Sequence, residues 1–188
     1  ADDSDETTMD SDGRMWAPAS SAMGLSPFDG SMHAISVVSP GQYIRSENYN
    51  SVYYISGGMR RPFWDAQSFF TYADSWSDVT WVTDATLVTL QLGTPMLPKA
   101  GVVLVKVASD PKVYAVETDS DGSPELRWIP TEMVAMDLYG ATWADYVLDV
   151  EATTMGWYAD GSDMDASDDV DMSVMKTRAG IAMLVMGM

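Results

Sequence analysis

The chain has 188 residues and a formal net charge of −18, which argues against nucleic acid and anionic membrane surfaces as partners. It contains no cysteine and a single histidine, His33, so disulfides, thiolate chemistry and sites built from several imidazoles are excluded. No stretch approaches the roughly 20 apolar residues that a membrane-spanning helix needs. We interpret His33 as an ordinary strand or loop residue.

Residues 1–38 are predicted to form an acidic arm followed by a strand. The chain begins Ala-Asp-Asp-Ser-Asp, which is typical of a secreted protein after removal of a signal peptide behind a small residue. We therefore expect an extracellular location, and a trimmed intracellular chain is the alternative. The carboxylates of residues 1–12, like those of residues 160–171, are interpreted as parts of solvated segments.

The middle of the chain repeats itself. Ile44-Arg45 stands eight residues before Val52-Tyr53, and Val105-Lys106 stands eight residues before Val113-Tyr114. Further matched motifs follow in the same order, namely Arg61-Pro62-Phe63 with Arg127-Trp128-Ile129-Pro130, and Tyr72 and Trp76 with Tyr139 and Trp143. The repeat predicts two tandem units, residues 39–97 and 98–155.

Each unit is predicted to contain a strand, a hairpin and a helix. In the first unit a strand ends at Arg45, and the following hairpin turns at Ser56-Gly57-Gly58, where glycine supplies positive backbone torsions. One helical face then follows, formed by Ala66, Phe69, Phe70 and Ala73. We expect an α+β, β-rich fold of two strand–hairpin–helix units with extended N- and C-terminal arms.

The predicted helix of the second unit has clear ends. Thr131 follows Pro130 as an N-cap, and Gly140 ends the helix. Between Met133 and Tyr139 only Asp137 is clearly polar, so we expect this helix to be buried on most sides.

These motifs resemble a tandem repeat of secreted and surface-layer-like bacterial proteins. The resemblance consists of an Ile-Arg or Val-Lys strand, a Val-Tyr strand, an Arg-Pro-Phe or Arg-Trp-Ile-Pro edge and a Tyr-x3-Trp helix end. It implies an extracellular, non-enzymatic module that is often joined to other surface or wall-directed domains. The acidic start and the methionine-rich end of the chain lie outside the repeat.

Residues 156–188 are predicted to form an acidic linker and an apolar C-terminal strand. The last ten residues carry no charged side chain. This strand either completes its own domain or pairs with a neighbouring subunit, which would build a head-to-tail assembly. In the second case the subunit interface contains Ile181, Met183, Leu184, Val185 and Met186.

Aspartate clusters suggest calcium as the one cofactor to consider, because calcium prefers hard oxygen ligands at alternating positions. The candidate ligands are Asp119, Asp121, Asp163 and Asp165. No cluster has the complete spacing of a calcium-binding loop, so the alternative is a solvated acidic surface.

Exposed tryptophan rings would suit a glycan ligand, and Trp64, Trp81 and Trp128 are the candidates. Trp76 and Trp143 recur at matched positions, so both are predicted to serve packing. The carboxylate pairs Glu132 with Asp137 and Asp74 with Asp78 are the only acid–base candidates, and nothing in the sequence indicates a cleft around them. We expect no enzymatic activity.

The sequence favours a secreted structural protein that self-assembles with copies of itself into an extracellular filament or surface layer. The alternative is a module that binds cell-wall or capsule polysaccharide. A viral coat or tail protein is a third hypothesis, because it shares the logic of self-assembly.

Overall fold

The computed structural model describes residues 37–188 and, before them, the backbone of two short antiparallel strands, β1 (Thr8–Met9) and β2 (Met15–Trp16). His33 and the predicted acidic arm otherwise lie outside the described residues. The chain divides into two units, one formed by residues 1–97 with 183–188 and the other by residues 98–182.

The first unit contains a five-stranded mixed sheet in the order β6-β3-β4-β5-β7. The three central strands are antiparallel, and each outer strand is parallel to its neighbour. The elements are β3 (Tyr43–Ser46), β4 (Tyr49–Ser56), β5 (Met59–Pro62), α1 (Ala66–Phe70), β6 (Val79–Trp81), α2 (Asp84–Thr89) and β7 (Gln91–Leu92). A 3₁₀ turn at Trp76–Asp78 precedes β6.

The second unit repeats this arrangement in the order β11-β8-β9-β10-β12, with the same parallel and antiparallel pairings. A 3₁₀ turn at Trp143–Tyr146 precedes β11. The elements are β8 (Leu104–Lys106), β9 (Tyr114–Thr118), β10 (Pro124–Trp128), α3 (Glu132–Tyr139), β11 (Val147–Asp149), α4 (Ala152–Met155) and β12 (Ala159–Asp160). The predicted α+β fold with two similar units is confirmed.

Local sequence signals explain the hairpin and the helix ends. Gly57 and Gly58 adopt φ values of 59° and 75°, which a tight hairpin turn requires. The side chain of Asp65 accepts a hydrogen bond from the Ser68 N–H at the start of α1, and Thr131 does the same for Val134 in α3.

Backbone hydrogen bonds fix how the two units correspond. The Phe63 N–H donates to the carbonyl of Val52, and the Ile129 N–H donates to that of Val113, both at 3.0 Å. Phe63 and Ile129 therefore occupy the same position in their units. The sequence motifs Arg-Pro-Phe and Arg-Trp-Ile align in this register.

The two outer strands of each sheet were not predicted from the sequence. In each unit the later of the two is the fifth strand in chain order. It is followed by Gly-Thr-Pro-Met in the first unit and Gly-Ser-Asp-Met in the second. The N–H groups of Gly93 and Gly161 each donate at 2.8 Å to a carbonyl of the neighbouring strand, which is β5 in the first unit and β10 in the second. Three residues later, the N–H groups of Met96 and Met164 donate to the same two strands. Both methionine side chains are buried. Each methionine thus anchors the outer strand of its sheet.

An arginine in each unit holds the same segment. Nε of Arg61 donates to the carbonyl of Thr94 at 3.0 Å, and Nε of Arg127 donates to that of Ser162 at 2.9 Å. Arg127 also forms a two-pronged ion pair with Asp168, with both N–O distances at 3.0 Å. The prediction of a solvated acidic linker from residue 156 onward is therefore wrong in part, because this acidic segment contains β12, the buried Met164 and Asp168 of the ion pair.

The predicted C-terminal strand is also wrong, because Arg178–Val185 forms a helix, α5. Five of its eight residues are alanine, methionine, leucine or arginine, which have high helix propensity. The Thr177 hydroxyl accepts a hydrogen bond from the Gly180 N–H at 3.0 Å, which supports the helix start. Within residues 37–188, no helix combines the length and hydropathy needed to cross a bilayer.

The expectation that α3 is buried on most sides is wrong as well. Met133 and Met136 are 73% and 46% exposed, while Ala135, Leu138 and Tyr139 face the core. Composition alone could not reveal this, because a helix of eight residues rests on the sheet through one face.

Candidate binding cleft of the second unit

A cleft of about 440 Å³ lies in the second unit. Most of its lining is apolar, and its polar groups come from Lys112, Thr131 and Glu132. The apolar lining consists of Pro111, Val113, Trp128, Ile129, Pro130, Ala135 and Trp143. Its volume lies within the range of small-molecule sites.

Three segments position the lining residues. Trp128 ends β10, where it is paired with Tyr114 of β9, so Lys112 lies just before the partner strand. The N-cap Thr131 starts α3, which places Ala135 on the core side of the first turn. Trp143 begins the 3₁₀ turn before β11.

At three matched positions the second unit has smaller side chains than the first. In the first unit the Phe69 ring lies 5.4 Å from Tyr43, 5.2 Å from Phe63 and 5.2 Å from Trp76, measured between centroids. The residues at the positions of Tyr43, Phe63 and Phe69 in the second unit are Leu104, Ile129 and Ala135. Ile129 and Ala135 line the cleft together with Trp143.

The matched tryptophans consequently have different surroundings. Trp76 is 2% exposed, and its indole N–H donates to the carbonyl of Val185 at 3.2 Å. Trp143 is only half-buried, and no residue within 37–188 accepts a hydrogen bond from its indole N–H. The same holds for the indole N–H of Trp128.

Two charged groups stand at the cleft. The Lys112 ammonium lies 5.2 Å from the centre of the Trp128 ring, a cation–π contact. The Glu132 carboxylate follows the N-cap of α3. Neither forms an ion pair with another residue in the described part of the chain. The cleft therefore combines aromatic surface with several hydrogen-bonding groups that protein partners do not occupy there.

The three tryptophans predicted to bind glycan lie in different places. Trp128 lines the cleft, whereas Trp64 and Trp81 belong to the first unit and are half-buried. The Trp81 ring lies 5.4 Å from the guanidinium of the buried Arg45. Burial lowers the pKa of Arg45, and the ring face partly offsets the lost hydration. Trp81 therefore contacts a buried cation, and glycan binding by Trp64 and Trp81 stays a prediction.

Sequence reasoning assigned Trp143 to packing alone. Its ring does pack against the core cluster of the second unit, but it also lines the cleft. The signal that could have revealed this is the alanine at the position of Phe69, which leaves the matched tryptophan without its stacking partner.

The candidate calcium ligands are spread over two loops. Asp119 organises the β9–β10 turn, because its Oδ1 accepts the N–H groups of Asp121 and Ser123 at 2.9 and 2.8 Å. In the other loop the Asp163 carbonyl accepts from Arg127, and Asp165 caps Ser167. Among the described residues, no group of three or more acidic or imidazole side chains could hold a metal ion. Calcium binding stays a prediction.

Four of the five predicted interface residues lie on α5, and Met186 directly follows it. Ile181 is fully buried, so it is not available to a neighbouring subunit in this fold. Met183 and Met186 are about half exposed, and Leu184 and Val185 are partly buried.

The predicted acid–base pairs are placed as structural or surface groups. Oδ2 of Asp78 accepts the N–H groups of Asp74 and Ser75 at 3.2 and 3.1 Å, so Asp78 caps the 3₁₀ turn. Glu132 and Asp137 are exposed on α3, and their spacing of five residues puts them on different sides of the helix.

Comparisons with protein families, with curated proteins and with solved structures found no match. The cleft is therefore interpreted from its own chemistry.

Proposed function

We propose that this protein is an extracellular, non-catalytic module that binds a saccharide in the cleft of its second unit. The observation that carries the proposal is the presence of Trp128 and Trp143 in one cleft, with indole N–H groups that no described residue engages. A sugar ring offers an apolar face of C–H groups and a rim of hydroxyls. Flat aromatic rings bind the first, and hydrogen-bonding groups bind the second.

The polar groups of the cleft match a hydroxyl-rich ligand. The indoles and Lys112 donate hydrogen bonds, and Glu132 accepts them. Since the chain carries a net charge of −18, a polyanionic glycan would be repelled as it approaches. A neutral cell-wall or capsule polysaccharide is therefore the favoured ligand class.

Glycan-array binding followed by calorimetry tests this proposal. Trp128→Ala and Trp143→Ala should each weaken saccharide binding by about tenfold or more, which corresponds to about 1.4 kcal/mol. Trp157→Ala is the matched control, because this indole is 48% exposed and does not line the cleft. Equal losses in all three variants, or no binding of any neutral glycan, would refute the proposal.

A second candidate is a self-assembling subunit of a filament or surface layer, and a viral coat or tail protein would follow the same logic. The observation in its favour is the exposure of large apolar side chains, among them Met133, Met136, Met183 and Met186. Assembly would then use methionine-rich helix surfaces, since residues 178–185 are helical.

Sedimentation and electron microscopy, with and without a calcium chelator, test this second candidate. Filaments or sheets that disappear in the double variant Met133→Glu, Met136→Glu would support it. Dispersed particles at every concentration would refute the self-assembly candidate. Loss of order on chelation would implicate Asp119, Asp121, Asp163 or Asp165.

A further inference from the structure

We infer that one helix position, Phe69 in the first unit and Ala135 in the second, decides whether a unit has an open cleft. In the first unit the space that corresponds to the cleft is then filled by the Phe69 ring. The identity of the ligand rests on the proposed function, whereas the effect of this helix position on the cleft does not.

The two residues are equivalent by hydrogen bonding. The Phe69 N–H donates to the carbonyl of the N-cap Asp65 at 3.2 Å, and the Ala135 N–H donates to that of the N-cap Thr131 at 3.1 Å. Both residues thus lie four positions after the N-cap and are buried. Their side chains leave the helix at the same point.

The difference in size is sufficient to change the surface. The Phe69 ring stacks on Trp76 at an interplanar angle of 19° and packs edge to face on Tyr43 and Phe63. Ala135 ends at its Cβ, and the space beyond it is the cleft lined by Trp143. Closely packed interiors leave such space only where side-chain atoms are missing.

The polar rim, by contrast, is specific to the second unit. The first unit has Ser51, Pro62 and Ala66 at the positions of Lys112, Trp128 and Glu132. The paired strands and the N-caps of α1 and α3 establish this correspondence. Opening the first unit should therefore create an apolar cavity and not a second saccharide site. Apolar cavities bind xenon or benzene and stay dry.

The experiment uses the full chain with Ala135→Phe and Phe69→Ala. Ala135→Phe should fill the cleft and weaken binding of the neutral glycan selected on the array by about tenfold or more, with no fall in melting temperature. Met133→Phe adds the same ring on the exposed side of the same helix, outside the cleft lining, so it is the matched control and should keep binding. Crystals under xenon pressure should show a new xenon site beside Trp76 in Phe69→Ala, and Phe69→Leu should show the same site at lower occupancy if Phe69→Ala does not fold.

The outcomes separate this inference from the proposed function. If no glycan binds the unmodified chain, the proposed function fails, and the crystal structure of Ala135→Phe still tests the inference. A phenyl ring that fills the space beside Trp143 supports the inference. A ring that turns away and leaves the cleft open, or a first unit without a new cavity in both Phe69 variants, would overturn it.

Discussion

The two units share one backbone plan but use it differently. Both sheets have the same strand order, the same parallel outer strands and the same methionine anchor after the fifth strand. The first unit fills its core with Tyr43, Phe63, Phe69 and Trp76, whereas the second uses Leu104, Ile129 and Ala135 around a half-buried Trp143. The comparison teaches that a few changes of side-chain volume can turn a packed core into a surface cleft without changing the topology.

The largest expected change in stability comes from one of the matched tryptophans, Trp76. Trp76→Ala should lower the free energy of unfolding by about 3–5 kcal/mol, because it removes a buried ring that stacks on Phe69. Trp143→Ala should lower the free energy of unfolding by less, about 1–2 kcal/mol, because that ring is half-buried and borders a cleft. Denaturant unfolding measures both, and equal losses would contradict the proposed difference between the units.

The methionine anchors should behave alike in the two units. Met96→Ala and Met164→Ala should each cost about 2–3 kcal/mol, because both side chains are buried beneath the outer strand. Hydrogen exchange should show faster opening of β7 or β12 in the corresponding variant. Met172→Ala, at an exposed position of the same acidic segment, is the control and should change little. A large loss of stability in only one of the two variants would contradict the equivalence of Met96 and Met164.

The ion pair of Arg127 and Asp168 should make the second unit sensitive to acid. Hydrogen bonds from the Asp165 N–H and from Arg127 hold the pKa of Asp168 below its ordinary value. Because the folded-state pKa is lowered, this stabilisation is present above the unfolded value of about 3.9 and is lost as the pH falls through the folded-state value. At pH 7 Asp168→Asn should therefore melt a few degrees below the unmodified chain.

The difference in melting temperature should shrink as the pH approaches 3. Asp169→Asn, at the exposed neighbouring position, is the control and should melt like the unmodified chain throughout. A difference between Asp168→Asn and the unmodified chain that is independent of pH would show that the carboxylate charge is not responsible.

The smallest effect should come from the cation at the cleft. Lys112→Ala removes the contact with the Trp128 ring and should cost only about 0.5–1 kcal/mol, since the side chain is exposed. Lys112→Arg should preserve stability, because a guanidinium also binds the ring face. A loss above about 2 kcal/mol would mean that Lys112 has a larger packing role than a cation–π contact provides.

Much of the fold could be predicted because the signals are local. The glycine turn at Gly57-Gly58, the N-cap Thr131 and the repeated motifs depend on neighbours in sequence, and the repeat located both hairpins. The fifth strands were missed because two residues are too few to show a period. The C-terminal helix was predicted as a strand because a short uncharged apolar run is compatible with either structure.

Repeated motifs and turn residues act over short distances, so the amino-acid order is enough to predict two similar α+β units with an acidic surface. It is not enough to predict that Trp128 and Trp143 meet in one cleft or that Phe69 closes the equivalent position in the first unit, which appears only in the folded chain. A cleft is a property of volume. It depends on which side chains from distant segments meet, and on whether their summed size fills the space between a helix and a sheet.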